Sequence, residues 1–166
     1  MPQLFYPDPL IRIPFYIALG LVTEVIFTGV MDLIAPNFLQ SWRLKNAPAP
    51  EKPKADPRAM GYSFLWMIPL YGLLVGIEPM QITMTSVPLI FRGLIYLAAF
   101  WVGEYLTGAL LKRIIGFCPW DYSNSRFSVH SYIRWDFGPF WYVFTLFLDR
   151  FTLKLVALTP AIKALF

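Results

Sequence analysis

The stretch Leu89–Leu111, LIFRGLIYLAAFWVGEYLTGALL, decides how the rest of the chain is read. It is apolar for longer than the roughly 20 residues that cross a bilayer, and Lys112 and Arg113 follow it at once. A second such run, Ile11–Ala35, has Pro14 near its start and Pro36 at its end. Composition agrees: 57% of the 166 residues are hydrophobic and 14% are charged. A soluble domain carries about a quarter charged residues. A chain this short buries only about 70% of its unfolded surface in water, so lipid must cover the apolar excess. The aromatic share, 18%, suits a chain with Trp and Tyr at membrane interfaces.

Two shorter runs complete the pattern. Gly61–Ile77 is interrupted by Pro69, and Phe137–Leu148 meets Asp149 and Arg150. Together they predict an all-α, polytopic membrane helical bundle of about four transmembrane helices. The last run either continues to Leu158 or gives way to an amphipathic tail over 150–166 (FTLKLVALTPAIKALF from Phe151). Segment 37–60 forms a basic, Pro-rich loop, with Asn37–Arg58 at its centre. Glu78–Pro88 is weakly polar and reads as a loop or a partly embedded turn. Segment 112–135 is aromatic and polar together and reads as an ordered interfacial loop.

Net charge is +4. Arg43, Lys45, Lys52, Lys54, Arg58, Lys112, Arg113, Arg126 and Arg134 lie in the loops after the first and third runs. Arg12, Arg92, Arg150, Lys154 and Lys163 lie on the opposite side. That bias predicts both termini outside the cytoplasm. Basic residues held in short loops beside membrane spans argue for lipid contact and against nucleic-acid binding. The first residues lack the short basic start of a cleavable signal, so the first run is expected to be a retained helix.

An internal repeat is hinted at. YIALGLVTEVIFTG (Tyr16–Gly29) resembles YLAAFWVGEYLTG (Tyr96–Gly108), aligning Tyr16 with Tyr96 and Glu24 with Glu104. Each copy is followed by a basic loop and a run carrying Trp and Pro: Trp66 with Pro69, and Trp135 with Pro139. Two helical hairpins related this way would be parallel repeats, as in some transporters. Chance similarity between apolar helices is the competing explanation.

Glu24 and Glu104 carry the strongest functional signal. A charge at the bilayer centre is unfavourable by about 3 kcal/mol, so such residues face a protein interior or a wet cavity. Gly20, Glu24 and Thr28 share a helix face with Asp32 nearby, and Gly103, Glu104, Thr107 and Gly108 form a matching face. A proton, cation or polar-substrate site is expected. The bland alternative is a protonated Glu bonding two helices together. In CPWDYS, Cys118–Ser123, Asp121 suits an Asx turn, while Trp120 and Tyr122 suit the headgroup region. These present either a substrate-contacting loop or a turn joining two helices. Arg134 with Asp136, and Asp149 with Arg150, are candidates to pair with the two glutamates or ordinary boundary charges.

His130 is the only histidine and Cys118 the only cysteine, so neither a metal site nor a disulfide is expected. P-loop, dinucleotide, HExxH, CxxC and nucleophile-elbow motifs are missing from the sequence. No cofactor and no enzymatic activity are expected. A lipid-directed enzyme using Asp121, Tyr122 and His130 is the weakest alternative.

The residues Glu104, Gly108, Gly116, Trp120, Asp121, Tyr122 and Ser123, with Ser63, Trp66, Tyr71 and Gly72 upstream, form a recognisable set. In them the chain resembles the type IV ABC-transporter permease family called CmpB-like, small multipass membrane proteins. The resemblance extends from Gly20 to about Trp141 and implies a small helical membrane fold with a transport-related role. Loop 37–58 departs from the compact family pattern, as does the tail after Asp149; both could be docking surfaces. The leading expectation is a permease or channel-like subunit with Glu24, Glu104, Thr28, Thr107, Trp120, Asp121 and Tyr122 at its polar interface. The runner-up is a non-catalytic accessory subunit of a larger complex. Membrane lipids, further copies of the chain or other membrane subunits are the expected partners.

Overall fold

A computed structural model describes residues 5–34, 61–123 and 125–165. The expected basic loop, 37–60, lies outside the described residues. Helix α1 covers Pro9–Ile34, α2 Met67–Gly72, α3 Ile77–Thr83, α4 Leu89–Ile115 and α5 Gly138–Lys163. A 3-10 turn, Leu73–Gly76, joins α2 to α3. The chain forms two hairpins: α1 packs on α2 and the turn after it, and α4 packs on α5.

Among the described residues two helices, α1 over Pro9–Met31 and α4 over Leu89–Ile115, are long and apolar enough to cross a membrane. The expectation was about four crossings. The return arm of the first hairpin is not one helix, and Pro79 explains why. Proline has no N–H to give the carbonyl four residues back, here Val75, and the chain tightens into 3-10 geometry next to it. The return arm of the second hairpin, α5, has 26 residues but carries Asp149, Arg150, Lys154 and Lys163.

The tail over 150–166 is not a separate surface element: α5 runs unbroken through Asp149 and Arg150 to Lys163. Adjacent helical residues point about 100° apart. Asp149 is therefore fully buried while Arg150 is exposed, and the helix has no reason to stop between them.

Segment 112–135 begins with the last turn of α4, which ends at Gly116 (φ +84°), a left-handed position that glycine accepts without strain. Beyond it lies a small antiparallel hairpin, β1 (Ser128–Val129) and β2 (Ile133–Arg134), an addition to the all-helical expectation. His130 and Ser131 turn it with positive φ. A 3-10 turn, Trp135–Phe137, then leads into α5. The core is aromatic: Phe27 of α1 lies 4.4 Å from Phe140 and 5.1 Å from Phe137, and Phe100 of α4 lies 4.4 Å from Trp141.

Candidate functional site

A cavity of about 320 Å³ opens between the two hairpins. Its walls are mainly aliphatic and aromatic: Met67, Leu70, Leu74 and Ile77 from the broken arm, Ala99 and Phe100 from α4, with Trp120 and Trp141 also in the lining. Glu24 and Glu104 both line it. One cavity thus receives the two acids, from α1 and α4.

Each acid is held by a tyrosine from another element. The Tyr71 hydroxyl donates to Glu24 Oε2 at 2.8 Å, and the Ser63 hydroxyl donates to the same oxygen at 2.6 Å. The Tyr122 hydroxyl donates to Glu104 Oε1 at 3.1 Å. Tyr122 is almost fully buried, and burial together with Glu104 pushes its phenol well above the usual range, so it stays a donor. Among the described residues, Glu104 Oε2 is shut off from solvent and has no hydrogen-bond partner. The indole N–H of Trp141, also lining the cavity, is likewise unpartnered among them.

The other expected site residues divide. Thr107 lines the cavity but turns its hydroxyl back to the Gly103 carbonyl at 2.7 Å. Trp120 lines it and donates its indole N–H to the Tyr132 carbonyl at 3.0 Å. Thr28 is not part of the lining. Its hydroxyl donates to the Glu24 carbonyl at 2.9 Å and accepts the Tyr62 N–H at 2.9 Å, tying the chain entering the second run to α1. Asp121 stays outside the cavity too and accepts the Ser123 N–H at 2.8 Å, the Asx turn that its sequence context predicts. His130 is exposed and shares a 2.7 Å hydrogen bond with the Tyr105 hydroxyl. Among the described residues no group of histidine, cysteine and acidic side chains could hold a metal.

A second polar system, not anticipated from the sequence, ties Arg12, Tyr16 and Glu78 to Arg92, Tyr96 and Asp149. Arg12 is completely buried, and so is Glu78, which opens the stretch expected to be a loop or a partly embedded turn. Arg12 Nε and Nη2 donate to the two Glu78 oxygens at 2.8 and 2.7 Å. The Tyr16 hydroxyl donates to Glu78 Oε1 at 3.1 Å. In the second hairpin, Arg92 Nη2 donates to Asp149 Oδ2, and the Tyr96 hydroxyl to Asp149 Oδ1, each at 3.1 Å. Gln81 Nε2 links the two by donating to the Asp149 carbonyl at 2.8 Å. Neither Asp149 nor Arg134 reaches the two glutamates: Asp149 takes Arg92, and Arg134 Nε donates to Asp136 at 3.0 Å.

The signal for this system was present. One offset of 80 residues relates Arg12 to Arg92, Tyr16 to Tyr96 and Glu24 to Glu104. In both hairpins the Arg and Tyr of the leading helix hold a buried acid on the return arm. The arginine at the start of each apolar run was read only as a topology charge.

Residues 12–164 match a single family model over nearly the whole chain. The chain belongs to that family, described as "Putative ABC-transporter type IV". No solved structure matches it. The match begins at Arg12 and takes in both hairpins, the cavity and the CPWDYS loop. Membership in this family, with two helices among the described residues long and apolar enough to cross a bilayer, is consistent with a transport-related membrane protein.

Proposed function

We propose that the chain is a multipass permease or channel-like subunit whose polar helix interface is the cavity carrying Glu24 and Glu104. The observation that carries this reading is the convergence of two acids from different hairpins on one cavity, with Glu104 Oε2 unpartnered among the described residues. An acid left without a partner in an apolar setting is unfavourable unless function retains it. Thr107, Trp120 and Tyr122 complete the polar and aromatic lining, while Thr28 and Asp121 position the backbone around it. In this arrangement α1, the broken arm, α4 and α5 all traverse the bilayer, with both termini on the non-cytoplasmic side. The chain acts on solutes without covalent chemistry, as a homo-oligomer or beside other membrane subunits. The test is solute flux into proteoliposomes containing the full chain, across a panel of radiolabelled ions and organic solutes. Glu24→Gln and Glu104→Gln should reduce the flux; wild-type flux from well-folded variants removes the site.

A second reading, a non-catalytic accessory subunit, is favoured by the apolar strip along α4. Ile90, Leu94, Val102, Leu106, Leu110 and Ile114 are each more than half exposed. Purification in mild detergent separates the two readings. A stoichiometric heterologous partner supports the accessory role, and a stable homo-oligomer supports the first.

A further inference from the structure

We infer that the cavity between the hairpins binds an amphiphilic organic cation, an ammonium headgroup with an apolar tail, entering sideways between Gly76 and Gly103. This inference rests on the permease reading and specifies its substrate class.

The headgroup chemistry follows from the lining. Among the described residues no lysine, arginine or histidine lines the cavity, so an anionic headgroup would find no countercharge there. The hydroxyls of Tyr71 and Tyr122 spend their protons on Glu24 and Glu104, so apart from the indole N–H of Trp141 the polar lining among the described residues is acceptor oxygen. Glu104 has an oxygen to spare. Glu24, its partner Tyr71 and Glu104 line the same cavity, so the two acids serve one region. An ammonium N–H supplies a donor to that oxygen, and its positive charge stabilises the carboxylate form of the acid. Aromatic rings of Phe27, Trp120 and Trp141 line the same space and favour a cation over their faces.

The tail and its route follow from the walls. Met67, Leu70, Leu74, Ile77 and Met80 form an apolar wall that continues from the acids along the broken arm. A Cβ placed on Gly76 or on Gly103 meets nothing within 4 Å, so each of these lining positions has open space beside it, and we place the entry between them. Leu73 in the same lining is 64% exposed, which suits contact with lipid tails. At about 320 Å³ the cavity falls at the small end of ligand pockets, sized for one short amphiphile.

The test uses the full chain in lipid nanodiscs with radiolabelled dodecylamine as probe and protein-free nanodiscs as background. Saturable binding near one per chain is expected. Unlabelled dodecanol and dodecanoic acid should compete about tenfold or more weakly than dodecylamine. Glu104→Gln should weaken binding by a similar factor. Gly103→Phe, at an open and exposed position, should block it without disturbing the fold. Equal competition by the alcohol or the acid overturns the inference. So does wild-type binding by Glu104→Gln and Gly103→Phe proteins that melt like the wild type. Glutamate-dependent flux of other solutes without amine binding overturns the substrate class alone. Amine binding without glutamate-dependent flux upholds the site and overturns the transport reading.

Discussion

Arg12 grips Glu78 through two parallel hydrogen bonds, 2.8 and 2.7 Å, across 66 residues of chain. Both side chains are completely buried. Other guanidinium donors reach the Pro7 carbonyl at 2.7 Å, the Tyr6 carbonyl at 3.1 Å and Thr159 at 3.1 Å, so the segment before α1, the broken arm and the end of α5 meet on one cation. Removing one partner strands the other charge in an apolar interior. Arg12→Ala should therefore destabilise the protein by about 3–5 kcal/mol, while the Arg12→Met/Glu78→Met pair should recover much of that. Thermal melting in detergent measures both; additive losses in the double variant would refute the coupling.

Gly20 is where α1 admits the ring of Tyr71. A Cβ there would lie 2.1 Å from Tyr71 Cγ and 2.7 Å from its Cβ, atoms too near the backbone to swing away. Gly20→Ala should cost about 1–3 kcal/mol by overpacking and pull the Tyr71 hydroxyl from Glu24. A melting temperature equal to wild type would contradict this close approach.

Cys118 is buried beside Gly108, and burial pushes its thiol up to about 11. At pH 8 only about a thousandth of it is thiolate, the reactive form. Iodoacetamide should label the native protein very slowly at that pH and the denatured protein readily. The sign of the linked stability follows: between 9.0 and about 11 the folded thiol keeps its proton while the unfolded one loses it. Stability should fall as pH rises through that window, and Cys118→Ala should lack this contribution.

Asp121 shapes a turn outside the cavity. Asp121→Ala should lower stability by roughly 1 kcal/mol through loss of the bond to the Ser123 N–H, with flux and amine binding close to wild type. A large loss of binding in a folded Asp121→Ala protein would move Asp121 into the site.

Much was legible along the chain because it depends on local composition. The run Leu89–Leu111 announces α4, and its end at Lys112 and Arg113 agrees with a helix closing at Gly116. The run from Ile11 announces α1, and Glu24 and Glu104 mark themselves by sitting where an acid is unfavourable. Asp121 before Ser123 announces its turn, since partner and acceptor are two residues apart.

Only the tertiary structure decided which distant groups meet. Glu78 lies in a stretch that looks like a loop, and its burial follows from Arg12 and Tyr16 approaching from α1. Asp149 and Arg150 look like a helix end, yet α5 continues because Arg92, Tyr96 and Gln81 satisfy Asp149 from the opposite side. The cavity itself is a gap lined by the broken arm and α4 together, with Gly76 and Gly103 among its lining residues. Hydrophobic length is additive over neighbouring residues, so the chain determines by itself that it forms helices suited to a bilayer. Charge pairing and cavity shape depend on helix register and on side chains scores of residues apart, which packing alone brings within reach.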